Sequence, residues 1–212
     1  MKVIAFTDTH SDAQAFKRLT QKIKKEKPEL LFCCGDITIF GHELETTLQK
    51  INSFGIPCYI IHGNHEDESE FRVLCKQFDN LHFMHKNSVL LENVHVVNDR
   101  KKSVPIRIYG IGGDGFSYTN KEFRKQTKKW LKTATDDEFK VLLTHAPPVE
   151  TNLDIVESGE HSGNKDIKDF IVKAKVEVAF SGHIHESSKA TEILKSYSLL
   201  INPGPDGMLV NL

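Results

Sequence analysis

Short apolar runs punctuate this chain, and five of them end in a compact polar signature. Val3 to Phe6 leads to Asp8-Thr9-His10, Leu30 to Cys34 to Gly35-Asp36, and Cys58 to Ile61 to Gly63-Asn64-His65-Glu66. Val141 to Leu143 leads to Thr144-His145, and Val176 to Phe180 to Gly182-His183-Ile184-His185. Each run is brief, rich in β-branched or aromatic side chains and bounded by charged, Gly or Pro residues, which predicts a buried strand. Between the early runs the period lengthens. Phe16, Leu19 and Ile23 recur at helical spacing behind the capping box Ser11-Asp12-Ala13-Gln14. Lys22, Lys24, Lys25 and Lys27 follow near that helix's C-terminus, where cations complement the dipole, and read as a solvated face. A second helix is predicted from Glu43 to Phe54. A third follows Glu66, with Phe71, Leu74, Cys75 and Phe78 on one stripe.

Alternation of strand and helix favours parallel β-α-β units in the first half. From Leu81 to Ile111 the apolar runs crowd together at 81–84, 89–91, 94–97 and 106–109, too close for crossover helices, and predict antiparallel strands at a sheet margin. Lys121 to Ala134 reads as a helix with Phe123, Trp130 and Leu131 facing inward, and Ile167, Phe170, Ile171 and Ala174 mark another. Short strands are expected at 192–194, 198–201 and 208–210. Two sheets packed face to face and covered by helices use all of these elements, in an α/β fold. The length, 212 residues, suits a single domain spanning 1–212.

Composition narrows the function. A formal net charge of -1 gives no general attraction to duplex nucleic acid or an anionic membrane, so a polyanionic substrate has to be attracted locally. The apolar stretch before Asp8 is too brief for a signal peptide or a membrane span, so a cytoplasmic protein is expected. Cys33, Cys34, Cys58 and Cys75 contain no Cys-x-x-Cys pair and read as buried thiols.

The ends of parallel strands form the edge where open α/β sheets bind ligands, so the five signatures can meet there. They bring Asp8, Asp36, Asn64, His10, His65, His145, His183 and His185. Such a mixture suits two divalent transition-metal ions (Mn²⁺, Fe or Zn²⁺) sharing a carboxylate, better than Ca²⁺ or Mg²⁺, which prefer oxygen throughout. Asp-x-His alone is a weak signal, and Gly-Asp after a strand is weaker still, being ordinary turn chemistry. Gly-Asn-His-Glu and Gly-His-x-His are rarer, and alternate positions in an extended segment would set His183 and His185 on one side.

The five signatures, in this order, resemble the calcineurin-like metallophosphoesterase pattern Asp-x-His, Gly-Asp, Gly-Asn-His-Asp/Glu, His and Gly-His-x-His. The resemblance runs from Asp8 to His185, and Asn202-Pro203-Gly204 is similar to the ending of small prokaryotic members. It implies a four-layer α/β/β/α sandwich of two mixed sheets flanked by helices, and hydrolysis of phosphate esters by a hydroxide bridging two metals. By the same likeness Asp8, His10 and His185 hold one metal, Asn64, His145 and His183 the other, and Asp36 bridges them. His65 is then no ligand but orients the scissile phosphate or protonates the departing oxygen. The expected substrate is a small-molecule or single-stranded phosphodiester; a phosphomonoesterase and a catalytically silent scaffold on the same fold are the alternatives. Asp36 is followed by Ile37-Thr38-Ile39-Phe40-Gly41 rather than the Asp-Arg-Gly of the protein phosphatases.

Three features stay outside that pattern. Gly110-Ile111-Gly112-Gly113-Asp114-Gly115 matches a dinucleotide fingerprint in letters, but Phe116 to Asn120 separates it from the next helix, so a rim loop near the metals is expected instead. His62 adjoins a ligand loop, and His161 precedes a helix N-terminus that could receive an anion; either could touch substrate or be an ordinary loop residue. The basic stretch Lys121 to Lys132 reads as a solvated helix face.

Overall fold

Successive residues of β1 (Lys2–Phe6) face opposite ways: Val3 and Ala5 enter one core while Ile4 and Phe6 enter another. That alternation, repeated from strand to strand, builds the whole architecture. The structure is a computed structural model and describes residues 1–97 and 103–212. The remaining strands are β2 (Leu30–Cys33), β3 (Cys58–Ile60), β4 (Leu81–Phe83), β5 (Asn87–Val97), β6 (Ser103–Ile111), β7 (Phe139–Thr144), β8 (Val178–Phe180), β9 (Thr191–Leu194), β10 (Ser198–Ile201) and β11 (Met208–Asn211). The helices are α1 (Ala13–Glu26), α2 (Leu44–Asn52), α3 (Glu68–Cys75), α4 (Lys121–Trp130) and α5 (Lys165–Ala174).

One sheet runs β11-β1-β2-β3-β4 and the other β5-β6-β7-β8-β10-β9. β1 to β4 are parallel and β11 is antiparallel to β1; in the second sheet β6, β7, β8 and β10 are parallel, with antiparallel β5 and β9 at the edges. Between the sheets lies a layer that includes Val3, Phe32, Ile61, Ile108, Val141 and Phe180. On the outer face of the first sheet Ile4, Leu31 and Ile60 pack on Leu19, Leu48 and Phe71 from α1, α2 and α3. On the outer face of the second, Tyr109, Leu142 and Leu200 pack on Phe123, Trp130 and Phe170 from α4 and α5. The result is the four-layer α/β/β/α sandwich, with two mixed sheets flanked by helices. All four cysteines are buried and free.

Local expectations needed adjustment where tertiary packing outweighed the apolar pattern. β4 is parallel to β3, not antiparallel, because α3 carries the chain back across the sheet before it. The runs at 89–91 and 94–97 form one strand, β5, whose register against β6 shifts between Leu91 and His95. That irregularity breaks the period that made them look separate. Asp12, not Ser11, caps α1, its carboxylate accepting from the Gln14 N–H at 2.7 Å. Phe54 and Phe78 lie beyond the ends of α2 and α3 yet still pack on the helical layer. α4 stops at Trp130, leaving Leu131 as its C-cap and 38% exposed rather than inward.

Phe180 is fully buried in the layer between the sheets, 5.5 Å from the Phe32 ring centroid. Phe180→Ala is expected to destabilise the protein by about 3–5 kcal/mol. Urea unfolding measures this directly, and an unchanged midpoint would show that the two sheets do not share this core.

Candidate metal centre

Every signature residue lies just beyond a parallel strand, on the edge where both sheets open. Asp8 follows β1, Asp36 follows β2, Asn64 and His65 follow β3, His145 follows β7, and His183 and His185 follow β8. The loops are sewn to one another by backbone hydrogen bonds. Asp8 N–H donates to Gly35 O (3.0 Å), His10 N–H to Asp36 O (3.1 Å) and Gly182 N–H to His145 O (2.9 Å). Bonds also cross between the sheets, among them the His183 N–H donating to Asp8 Oδ2 at 3.0 Å and His145 Nδ1 donating to Cys34 O at 2.8 Å.

The signature residues make three overlapping donor groups, one of them His10, Asp36 and His65, while the other two share no residue. Asp8, His10 and His185 form one, with His10 Nε2 3.1 Å from His185 Nε2 and His185 Nε2 4.0 Å from Asp8 Oδ1. Asp36, His145 and His183 form the other, with His145 Nε2 3.2 Å from Asp36 Oδ2 and 3.0 Å from Asn64 Oδ1. Asp36 stands between them, since its Oδ2 is also 3.8 Å from His10 Nε2. His65 Nε2 lies 3.9 Å from the same oxygen. Extended alternation does not explain the His183–His185 pair: His183 has φ +69° and a 3₁₀ turn begins at His185. The two imidazoles instead serve different groups.

The centre's electrostatics follow from burial of like charges. Burial and the neighbouring Asp36 push the Asp8 carboxyl above its ordinary range, against the pull of His145 and His185. Burial also opposes the charge on Asp36, but the hydrogen bond and charge of His145 and the His65 N–H outweigh it and bring Asp36 down to about 2. Burial works against a charged His145 as well, yet Asp36 and Asp8 raise it to about 9. His183 is lowered to about 4, by burial first and then by the His145 charge.

These residues fit divalent transition-metal ions. His10 and His145 direct Nδ1 to backbone carbonyls, Thr38 O at 3.2 Å and Cys34 O at 2.8 Å, which leaves the Nε2 lone pairs facing the cluster as metal-ligating histidines require. His183 Nε2 is buried with no hydrogen-bond partner among the described residues. A ligating cation would satisfy it.

Glu66, which the sequence pattern includes but to which it assigned no task, turns out to hold the two central loops together. Its buried carboxylate accepts from Asp36 N–H (3.0 Å), Gly63 N–H (2.8 Å), Thr38 N–H (3.0 Å) and Thr38 Oγ (2.8 Å). The close approach also explains a glycine: a Cβ on Gly63 would stand 1.9 Å from Asp36 Oδ1. The signal available in the sequence was the Glu three residues after Gly63. Asn202 is a second brace, donating to Ile184 O at 3.0 Å and accepting from Gly204 N–H at 3.1 Å.

The remaining candidates occupy other positions. His62 is buried behind the ligand loop, where Nδ1 bonds Gly63 O at 2.8 Å and Nε2 lies 3.1 Å from His85 Nδ1, so it braces the loop rather than facing the centre. His161 pairs with Asp154 at 2.7 Å, and the N-terminus of α5 is filled by its own cap, Asn164. No helix opens at the Gly110–Gly115 segment; α4 starts only at Lys121. A Cβ at Gly112 would lie 2.3 Å from His62 O, and Gly115 borders His183 and Asn64. The segment forms a rim of the centre, and no described helix is long and apolar enough to cross a membrane.

A family model described as calcineurin-like phosphoesterase matches residues 1–187. Among curated proteins, an uncharacterised protein of Methanocaldococcus jannaschii is 27% identical over 225 residues, covering 99% of this chain and 91% of its own length. A probable glycerophosphodiester phosphodiesterase of Arcobacter nitrofigilis is 26% identical over 173 residues, covering 77% of this chain; the match spans 59% of that protein. Among solved structures, TT1561 of Thermus thermophilus superposes with a TM-score of 0.72 at 12% identity, covering 96% of this chain and 88% of that one.

Asp36→Asn is expected to lower occupancy at both donor groups, whereas His65→Gln keeps the metals. Elemental analysis of the two purified variants checks this, and full metal content in Asp36→Asn would remove Asp36 from its shared position. Glu66→Gln turns an amide N–H₂ toward backbone N–H groups, and metal affinity is expected to fall about 10- to 100-fold, read by chelator competition.

Proposed function

The chain belongs to the calcineurin-like phosphoesterase family, and from that premise we propose that it is a phosphodiesterase acting on small-molecule or single-stranded phosphodiesters with two divalent transition-metal ions. The observation that carries the reading is the placement of Asp36 between the two donor groups, 3.2 Å from His145 and 3.8 Å from His10. Asp8, His10 and His185 would hold one ion, Asn64, His145 and His183 the other, with Asp36 shared. When bound, Mn²⁺, Fe or Zn²⁺ ions supply charge for the phosphate oxygens and acidify a water to serve as nucleophile.

The chain's own groups supply the rest. His65 Nδ1 accepts the Phe40 N–H at 3.5 Å, which leaves the proton on Nε2, the nitrogen turned toward Asp36. From there it can steady a phosphoryl oxygen or protonate the leaving oxygen. Asp8 and Glu66 hold the loops that set these distances. Preference for a diester rests on the probable activity of the Arcobacter relative, a glycerophosphodiester phosphodiesterase. Four free, buried thiols suit a reducing compartment, in keeping with a cytoplasmic enzyme.

The test is Mn²⁺-loaded protein offered a bis-aryl phosphate, an aryl monophosphate and a cyclic nucleotide. Turnover is expected to be fastest on a diester, to vanish with chelator and to drop about 10²- to 10⁴-fold in His65→Gln. A loaded protein inert toward all three would overturn the reading.

A further inference from the structure

Of 13 phenylalanines only Phe40 and Phe116 are exposed, at 75% and 67%, and both stand on the metal centre. Phe40 stacks on His65 with centroids 4.6 Å apart and planes at 18°. Phe116 packs on His183 at 4.4 Å and 60°. His65 and His183 flank the shared carboxylate of Asp36, the first at 3.9 Å and the second within the donor group it forms with His145. Each ring therefore stands against an imidazole beside the place where phosphate would sit. Ile39 and Tyr118, in the same loops, are exposed as well.

Folding alone does not account for these side chains. Phe40 has φ +49°, a conformation unfavourable for a bulky residue, and its ring stays largely in water. The loop is nevertheless held in that shape. Thr38, itself bound by Glu66, accepts the Gly41 N–H at 3.2 Å, and His65 accepts the Phe40 N–H. Strain maintained beside a reactive centre, with an apolar ring turned outward, points to a contact made by substrate. Phe116 follows Gly115 of the rim loop, where an added Cβ would lie 3.4 Å from His183 Cε1 and 3.9 Å from Asn64 Oδ1.

We infer that Phe40 and Phe116 are specificity-determining walls that receive a planar aromatic ring on the ester group of the substrate. This rests on the phosphoesterase reading of the centre. An organic group leaving a phosphate held there meets exposed rings on His65 and His183, and their π faces favour a flat, conjugated partner over a saturated one. The base of a nucleoside or an aryl group meets that description.

Calorimetry on Mn²⁺-loaded protein with the monomethyl esters of phenyl-, cyclohexyl- and methylphosphonic acid, singly charged like a diester, tests the inference without relying on turnover. The phenyl compound is expected to bind about tenfold tighter than the cyclohexyl compound. Phe40→Ala and Phe116→Ala, verified for metal content, should each cut the phenyl-to-methyl affinity ratio about tenfold, and Phe40→Trp should retain it. An unchanged ratio, or equal phenyl and cyclohexyl binding, overturns the walls alone. So does an equal fall for all three ligands in Phe40→Ala, which would make Phe40 only a support for His65. Binding of none of the three by the wild-type protein overturns the phosphoesterase reading, and the walls with it.

Discussion

The buried carboxylate of Glu66 is the constraint on which the centre depends. Backbone N–H groups at Asp36, Thr38 and Gly63 all point inward at one place, and the Thr38 hydroxyl joins them. Without an acceptor these buried donors would each carry a desolvation penalty of about 1–3 kcal/mol. With Glu66 present, the turn carrying Asp36 and the loop carrying Asn64 and His65 become one rigid piece. Burial and the nearby Asp36 both raise the Glu66 pKa, so the N–H donors offset part of the cost of placing this carboxyl here.

The rigidity sustains backbone strain. Asp8, His10, Asp36 and His183 all have positive φ, between +41° and +69°. Such conformations cost about 1–2 kcal/mol per non-glycine residue and persist only where the surroundings determine them fully. Here the surroundings are two sheets with a dry layer between them and helices on either side. The strands end in register, so their loops turn sharply at the same level. Side chains that would diverge from relaxed turns instead converge.

Convergence creates an electrostatic problem that the imidazoles partly solve. Asp8 and Asp36 are both buried, and burial first, then the charge of Asp36, raises the Asp8 carboxyl above its ordinary range. His145 answers Asp36 directly, and a ligating cation would satisfy the Nε2 of His183, which has no partner among the described residues. Outside this polar centre stand Phe40 and Phe116, apolar rings mounted on the imidazoles. Polar at its floor and aromatic at its rim, the site has the division that the proposed substrate, a phosphoester with a planar organic group, would call for.

Much of this was legible from residue order. Short continuous apolar runs, each followed by a polar signature, identified the strands and their carboxyl ends, because burial on both faces leaves few alternatives for such segments. The same order placed Asp8, Asp36, Asn64, His145, His183 and His185 at one edge. Parallel pairing of β4, continuity of β5 and the end of α4 at Trp130 were decided only by packing against partners distant in sequence. The tasks of Glu66 and His62, and the exposure of Phe40 and Phe116, likewise belong to the tertiary structure. An apolar or ionisable side chain announces its chemistry in the sequence; which donors face it, and whether its face meets protein or water, depends on loops that approach only after the sheets have closed.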